Sequence, residues 1–415
     1  MTEINSKYHP LTEQTVAEYV TALPDVLQAV FQPGDTLRGL DLADGNVNLV
    51  YRVFAEQDPK RSVIVKQALP YARIVGESYP MPLERSRVEA ELLRIEGKYC
   101  PDLVPVLYHH DDDMFAIVME DLKDYVIMRK GLVRQVIYPQ FAEHMGIFMA
   151  RTLFYTSDLY LAQDVKKHMV AKHINPGLCK VTEDLVFTEP YMEHPNNVYN
   201  KLLEPQVREI YANDELRSEL FVLKEAFMTH AEALVHGDLH SGSIMVDEKL
   251  GTKVIDAEFA YFGPMGFDIG ALLANLALSY CSQEYHAADP KARADYQQWL
   301  IDTMRSTWII FEAEFRRLWA AQGNAQWDTE LFKDKYIRRL LQDTAGFGGA
   351  KMMRRILGLA HVYDLESIPD PEARAVCESM ALNIGQAWIM NRQQVTTIND
   401  LLTMVTSGRP SYPYR

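Results

Sequence analysis

Hydrophobic and polar positions change period partway along the chain. After an opening helix that Thr12 caps and Pro24 breaks, residues 36–69 alternate and favour β-branched side chains. Leu49-Val50-Tyr51-Arg52-Val53-Phe54 and Ser62-Val63-Ile64-Val65-Lys66 predict two strands, with a turn at Gln57-Asp58-Pro59-Lys60 between them. Residues 82–98 switch to helical spacing, with Val88, Leu92 and Ile95 on one side. Two more strands are predicted around 104–108 and 114–119. Together these make a small antiparallel sheet with one packed helix in about the first 120 residues. Beyond Asp121 the chain reads mostly as helix, near 133–163, 198–205, 207–234, 268–282, 290–322, 329–344, 350–364 and 371–405. Residues 235–262 interrupt that run with two short strands, 243–246 and 252–255, and polar loops at their ends. The last nine residues, rich in Pro, Ser and Tyr, read as a tail without a core role.

Composition narrows the function classes. Forty-two Lys and Arg against 57 Asp and Glu give a net charge of −15. Such a surface repels phosphate backbones, so general nucleic-acid binding would need a local basic patch. A bound nucleotide differs, because a metal ion and a few placed cations neutralise it locally. The four cysteines form no CxxC pair and read as ordinary thiols in a reducing compartment. The most apolar stretch, Ile269 to Cys281, is too short to span a bilayer and carries Asn275 in its middle. The first twenty residues, with Glu3, Lys7, His9, Glu13 and Glu18, hold no signal-peptide apolar run. A cytoplasmic protein that binds neither membrane nor nucleic acid is expected.

The chemistry concentrates in the interruption. His236-Gly237-Asp238-Leu239-His240-Ser241-Gly242-Ser243 follows a helix and precedes a strand, and Asp256 stands eighteen residues after Asp238. A loop followed by a hairpin can bring two such acids to one mouth. One can then accept or orient a hydroxyl proton while the other binds Mg²⁺ through hard carboxylate oxygen. His236 and His240 have no third histidine at metal-ligand spacing and read as loop hydrogen-bonding groups.

His-Gly-Asp-Leu-His followed by Ile-Asp resembles the catalytic and metal loops of the aminoglycoside and choline kinase group, which shares the protein-kinase-like fold. The order of the upstream elements agrees. Lys66 ends a Val-Ile-Val-Lys strand, resembling the kinase lysine that holds the α- and β-phosphates. Glu89 and Glu91 lie on the following helix, and Glu89 is favoured as the partner of Lys66. The loop Asp44-Gly45-Asn46-Val47-Asn48 replaces the Gly-rich pattern; Asn48 could donate to a phosphate, and a plain hairpin turn fits equally well. Glu120, Asp121 and Leu122 end the last strand of this half, where the resemblance implies a hinge whose backbone meets adenine. The implied architecture is α+β and two-lobed, with a nucleotide-binding lobe at 1–122, a mostly helical lobe at 123–415, and ATP between them.

Narrower motifs are similar to the 5-methylthioribose kinases. They include Gly76-Glu77-Ser78-Tyr79-Pro80, Phe154-Tyr155-Thr156-Ser157-Asp158, Phe187-Thr188-Glu189-Pro190-Tyr191, Asp256-Ala257-Glu258-Phe259 and Met353-Arg354-Arg355-Ile356-Leu357-Gly358-Leu359-Ala360-His361. This resemblance implies ATP and Mg²⁺, with phosphorylation of the anomeric O1 of 5-methylthioribose in methionine salvage, and a homodimer. It implies Asp238 as the catalytic acid-base group, Arg354 and Arg355 at the sugar and transferring phosphoryl, and Asp256 and Glu258 on the metal, with Ala257 between them. Alternation along an extended segment would send Asp256 and Glu258 from the same face. Ser243 stands where kinases usually carry a metal-binding Asn, and Glu258 could compensate. A helical wheel puts Arg354 opposite the apolar face, beside Gly358 and His361, with Arg355 toward one flank. Asp268 is expected to cap the next helix and brace the catalytic loop. Trp299, Trp308, Trp319 and Trp327 are expected to fill core. The open alternatives are a kinase for an aminoglycoside, choline or homoserine, and a kinase-like binding protein without catalysis.

Overall fold

The computed structural model describes residues 7–42, 47–73, 76–247 and 251–413. Asp44, Gly45 and Asn46 of the expected nucleotide loop therefore lie outside the described residues. The architecture is α+β, and the chain divides into two compact units. The smaller comprises Met1–Asp124 together with Asn175–Leu178 and Lys253–Ala260; the larger holds the rest.

In the smaller unit, β1 (Leu37–Asp41), β2 (Asn48–Ala55), β3 (Asp58–Ala68), β4 (Leu107–Asp111) and β5 (Ala116–Glu120) form one antiparallel sheet in the order β1-β2-β3-β5-β4. Alternation along β3 divides its work. Val63 and Val65 pack with Val16, Val20 and Val26 of the helices Val16–Thr21 and Pro24–Val30, while Lys66 leaves the opposite face. Pro24 breaks the opening helix as expected by starting a second one, at a position where its missing N–H is not needed. The turn expected at Gln57-Asp58-Pro59-Lys60 comes earlier, because Asp58 already pairs with Ala55 across a tight Glu56-Gln57 turn. Pro59 sits near the strand start, where the lost ladder donor is tolerated.

The larger unit is built on the helices Met265–His286, Glu330–Leu357 and Pro371–Met390, which pack on one another. The segments expected at 329–344 and 350–364 are one 28-residue helix ending at Leu357. Gly346, Gly348 and Gly349, which look like a break in the sequence, are places of close approach. A Cβ on Gly349 would lie 2.4 Å from the Gly385 carbonyl, and one on Gly270 2.7 Å from the Gly348 nitrogen. Gly358 is the C-cap, so it closes the helix and does not flank Arg354 on a helical face. Leu359 and Tyr363 are exposed beyond that end. The run Ile269–Cys281 extends into a 22-residue helix long and apolar enough to cross a membrane, but 94% of its most apolar window is buried inside the molecule. It is a core helix, apolar on all sides because all sides are packed.

Two short strand pairs frame the acid-bearing loop. Ala233–Val235 pairs with Tyr261–Gly263, and Ile244–Asp247 with Tyr125–Ile127. The C-terminal segment is also better fixed than expected. Ser411 and Tyr412 donate backbone N–H bonds to the buried Ser379 hydroxyl, and Asn383 donates to the Arg409 carbonyl.

Candidate active site

Lys66 of β3 stands at the centre of an acidic cluster in the smaller unit. Its Nζ lies 2.7 Å from Glu89, on the helix Arg85–Tyr99, and 2.5 Å from Asp256. Glu91 pairs instead with Arg87 at 3.1 Å. The segment carrying Asp256 is not the extended one expected. Asp256 has φ +71°, a left-handed conformation that Asp tolerates better than most residues, and Glu258 follows in a turn. Even so, Glu89, Asp256 and Glu258 present carboxylate oxygens within 4.8 Å of one another. Asp256 is half exposed, whereas Glu89 and Glu258 are each 2% exposed. Burial opposes the Lys66 charge, but Asp256, Glu89 and Glu258 outweigh it and raise its pKa. Burial, with Asp256 and Glu258 nearby, pushes the Glu89 carboxyl up to about 7 against the pull of Lys66.

Arg85 completes this cluster. It is 1% exposed, donates from Nε to Glu258 at 3.1 Å and from Nη2 to the Asn48 side-chain oxygen at 2.8 Å, and reaches the Leu69 and Pro82 carbonyls through Nη1. Asn48 returns a bond from Nδ2 to Glu258 at 2.9 Å, so its amide faces inward. The side chains at the expected hinge serve structure. Asp121 accepts from Arg52 and Ser62 at 2.6 Å, Glu120 accepts from Lys253 and the Val106 N–H, and Leu122 is buried. Ala257 is buried between the two acids.

The second cluster belongs to the larger unit. Asp268 lies in the first turn of Met265–His286, whose N-cap is Pro264, so it does not cap its own helix. Its carboxylate instead accepts from the N–H groups of His236 (2.6 Å) and Gly237 (3.0 Å), fixing the loop before Asp238. Gly237 adopts φ +82°, open to glycine at little steric cost. Ser243 is buried and donates to the Asp238 carbonyl at 3.0 Å. His240 Nδ1 accepts from the Gly242 N–H, which leaves Nε2 to carry the proton, 3.2 Å from Asp238 Oδ2. Both histidines thus serve loop hydrogen bonds.

Asp238 Oδ1 is 2.7 Å from Lys351 Nζ and 3.9 Å from Arg354. Burial works against the Asp238 charge, yet His240 and Lys351 hold its carboxyl well below the usual carboxylate range. Burial lowers His240 to about 4, so near neutral pH the positive charge at Asp238 comes from Lys351, itself lowered by burial to about 8, and from Arg354. Arg354 and Arg355 are 7% and 8% exposed, which excludes a solvated basic face. Among the described residues Arg354 Nε has no hydrogen-bond partner, while Arg355 donates to the Ala360 carbonyl at 3.3 Å. Arg129 anchors the neighbourhood through Ser241 and Asn275, which accounts for the asparagine inside an apolar helix.

Arg85 and Lys351 belong to no motif that the sequence displays. Each is a lone cation on a helix, and solvent is the ordinary place for such a residue. The available signals were local. Arg85 stands one helical turn before Glu89, and Lys351 stands three and four residues before the paired arginines. Trp308 and Trp319 are buried as expected, whereas Trp299 and Trp327 are only partly covered.

Residues 41–308 match the phosphotransferase enzyme family. The chain is 41% identical to methylthioribose kinase 1 of Oryza sativa subsp. japonica, covering 96% of each chain. It is 40% identical to the methylthioribose kinase of Yersinia pseudotuberculosis serotype O:3 (strain YPIII) over 98% of each, and 39% identical to that of Geobacillus sp. (strain WCH70) over 96% of each.

Proposed function

The chain belongs to the phosphotransferase enzyme family and, within it, to the methylthioribose kinases, and we propose that it transfers the γ-phosphoryl group of ATP to the anomeric O1 hydroxyl of 5-methylthioribose. The products are 5-methylthioribose 1-phosphate and ADP, a step in methionine salvage. The observation that carries this reading is the state of Asp238, a partly buried carboxylate held between Lys351 and His240, with two buried arginines on the helix that carries Lys351. A neutral sugar hydroxyl that gains a phosphoryl group suits that surplus of positive charge. A polycationic aminoglycoside does not.

In this mechanism Asp238 orients the O1 hydroxyl and takes its proton as the new O–P bond forms and the bond to the β–γ bridging oxygen breaks. Arg354 and Arg355 stabilise charge on the transferring group through fixed guanidinium forks. Lys66, kept in place by Glu89, holds the α- and β-phosphates. Asn48 acts through Glu258, which it and Arg85 orient. The backbone at Glu120, Asp121 and Leu122 meets the adenine edge. The hard oxygens of Asp256 and Glu258 fit Mg²⁺, which when bound would neutralise phosphate charge. We further propose a cytoplasmic homodimer.

A coupled ADP-release assay offering methylthioribose, ribose, choline, homoserine and kanamycin in parallel tests the reading. Turnover with methylthioribose far above the other acceptors is expected. Faster release with choline, homoserine or kanamycin, or none with any acceptor, would overturn it.

A further inference from the structure

Lys351 lies in the interior of the helix Glu330–Leu357 and is 3% exposed. Its Nζ donates to Asp238 Oδ1 at 2.7 Å and sits 4.7 Å from the centre of the Phe267 ring. Taking an ammonium out of water is costly unless a partner compensates, so the charge on this lysine depends on its carboxylate partner. Two features make the contact more than a structural ion pair. First, the backbone around Asp238 is already fixed without it, by Asp268 on His236 and Gly237 and by Ser243 on the Asp238 carbonyl. Second, the two carboxylate oxygens are held separately, Oδ1 by Lys351 and Oδ2 by His240. Lys351 therefore joins His240 in restraining the freedom that the fixed backbone leaves open, the rotation of the carboxylate about its own side-chain bonds.

We propose that Lys351 is a positioning residue for phosphoryl transfer, aiming Asp238 Oδ2 at the acceptor hydroxyl by anchoring Oδ1. The inference rests on the assignment of Asp238 above and adds the residue through which that carboxylate is directed. Arg354, at 3.9 Å from the same oxygen, is too distant to replace the bond. A misdirected carboxylate slows the chemical step without disturbing nucleotide binding, because a displacement on the order of 1 Å at a reacting group costs about 100-fold.

The test measures kcat and both KM values for wild type, Lys351→Met, Lys351→Arg, Asp238→Asn and the Lys351→Met/Asp238→Asn double variant. Lys351→Met keeps the aliphatic stem, and should it not fold, Lys351→Gln carries the same expectation. Lys351→Met is expected to lose about 10- to 100-fold in kcat with the KM for ATP within about twofold of wild type. Lys351→Arg is expected to recover part of the loss, and the double variant to be no slower than Asp238→Asn alone. A Lys351→Met variant within about twofold of wild-type kcat would overturn the proposal. So would a full Lys351→Met penalty persisting in the Asp238→Asn background, since Lys351 would then act independently of that carboxylate. A wild-type enzyme inactive toward methylthioribose would count against the acceptor assignment. An active wild type with an equally active Lys351→Met would defeat only the positioning role.

Discussion

Arg85→Met removes a guanidinium that joins Glu258, Asn48 and the carbonyls of Leu69 and Pro82, with almost no access to water. Methionine fills most of the stem volume, so the change is chiefly one of charge and hydrogen bonds. Stranding the buried Glu258 carboxylate costs about 3–5 kcal/mol. Each buried carbonyl left without its donor adds about 1 kcal/mol, less than additively, because these groups share one side chain. The expected loss is thus about 4–6 kcal/mol, a large part of the ~5–15 kcal/mol that holds a typical domain together. For a unit of this size about 3 °C accompanies each kcal/mol, so its transition should fall by about 10–20 °C. Scanning calorimetry would record that fall. Tryptophan fluorescence provides a control, because Trp299, Trp308, Trp319, Trp327 and Trp388 all belong to the larger unit. Amide exchange should accelerate across β2 and β3. Adding Glu258→Gln should recover part of the loss by removing the stranded charge. A loss below about 1 kcal/mol, with exchange in β2 and β3 unchanged, would refute the claim that Arg85 holds Glu258 in place.

Other predictions follow from the same geometry. Asp256→Asn keeps a residue that tolerates φ +71°, and should raise the Mg²⁺ concentration for half-maximal rate at least about tenfold; an unchanged Mg²⁺ titration would remove Asp256 from the metal site. Arg355→Gln should lower kcat about 100-fold while nucleotide affinity, read by calorimetric titration, stays within about twofold. Gly237→Ala puts a Cβ on a backbone at φ +82°, and should lower stability by about 1–2 kcal/mol in urea titration and slow turnover through the displaced Asp238. Burial pushes the Glu378 carboxyl up to about 7 from its ordinary 4.5. Because the folded value is the higher one, its contribution to stability is complete below about 4.5 and lost as pH rises through about 7. Glu378→Gln should therefore gain in melting temperature relative to wild type between pH 5 and pH 8.

Elements whose partners are close in sequence were the legible ones. The alternation of Val63, Val65 and Lys66 already separates a core face from the opposite one, and Glu89 and Glu91 both stand on the next helix as candidate partners of Lys66; the geometry selects Glu89. The loop at Asp238 was legible because its residues carry chemistry that few other motifs need. What escaped depends on contacts distant along the chain. Gly346, Gly348 and Gly349 resemble a break until Leu223 and Arg392 are seen to crowd the first, Gly270 the second and Gly385 the third. The end of the helix at Leu357 moves Gly358 from a helical face beside Arg354 to a cap, and no local periodicity distinguishes these. Arg85 and Lys351 take their meaning from Asn48, Glu258 and Asp238, which lie tens of residues or more away along the chain. The acidic segment at Asp256 looked extended because apolar residues precede it, and only the left-handed backbone reveals the turn.

Rapid-quench single turnover of Asp238→Asn with γ-labelled ATP and saturating methylthioribose, paired with equilibrium nucleotide binding, bears most directly on the division of labour between the two clusters. Nucleotide affinity within about twofold of wild type and phosphoryl transfer slower by at least about 100-fold are expected. Transfer at the wild-type rate, or loss of nucleotide binding in place of transfer, would contradict that division.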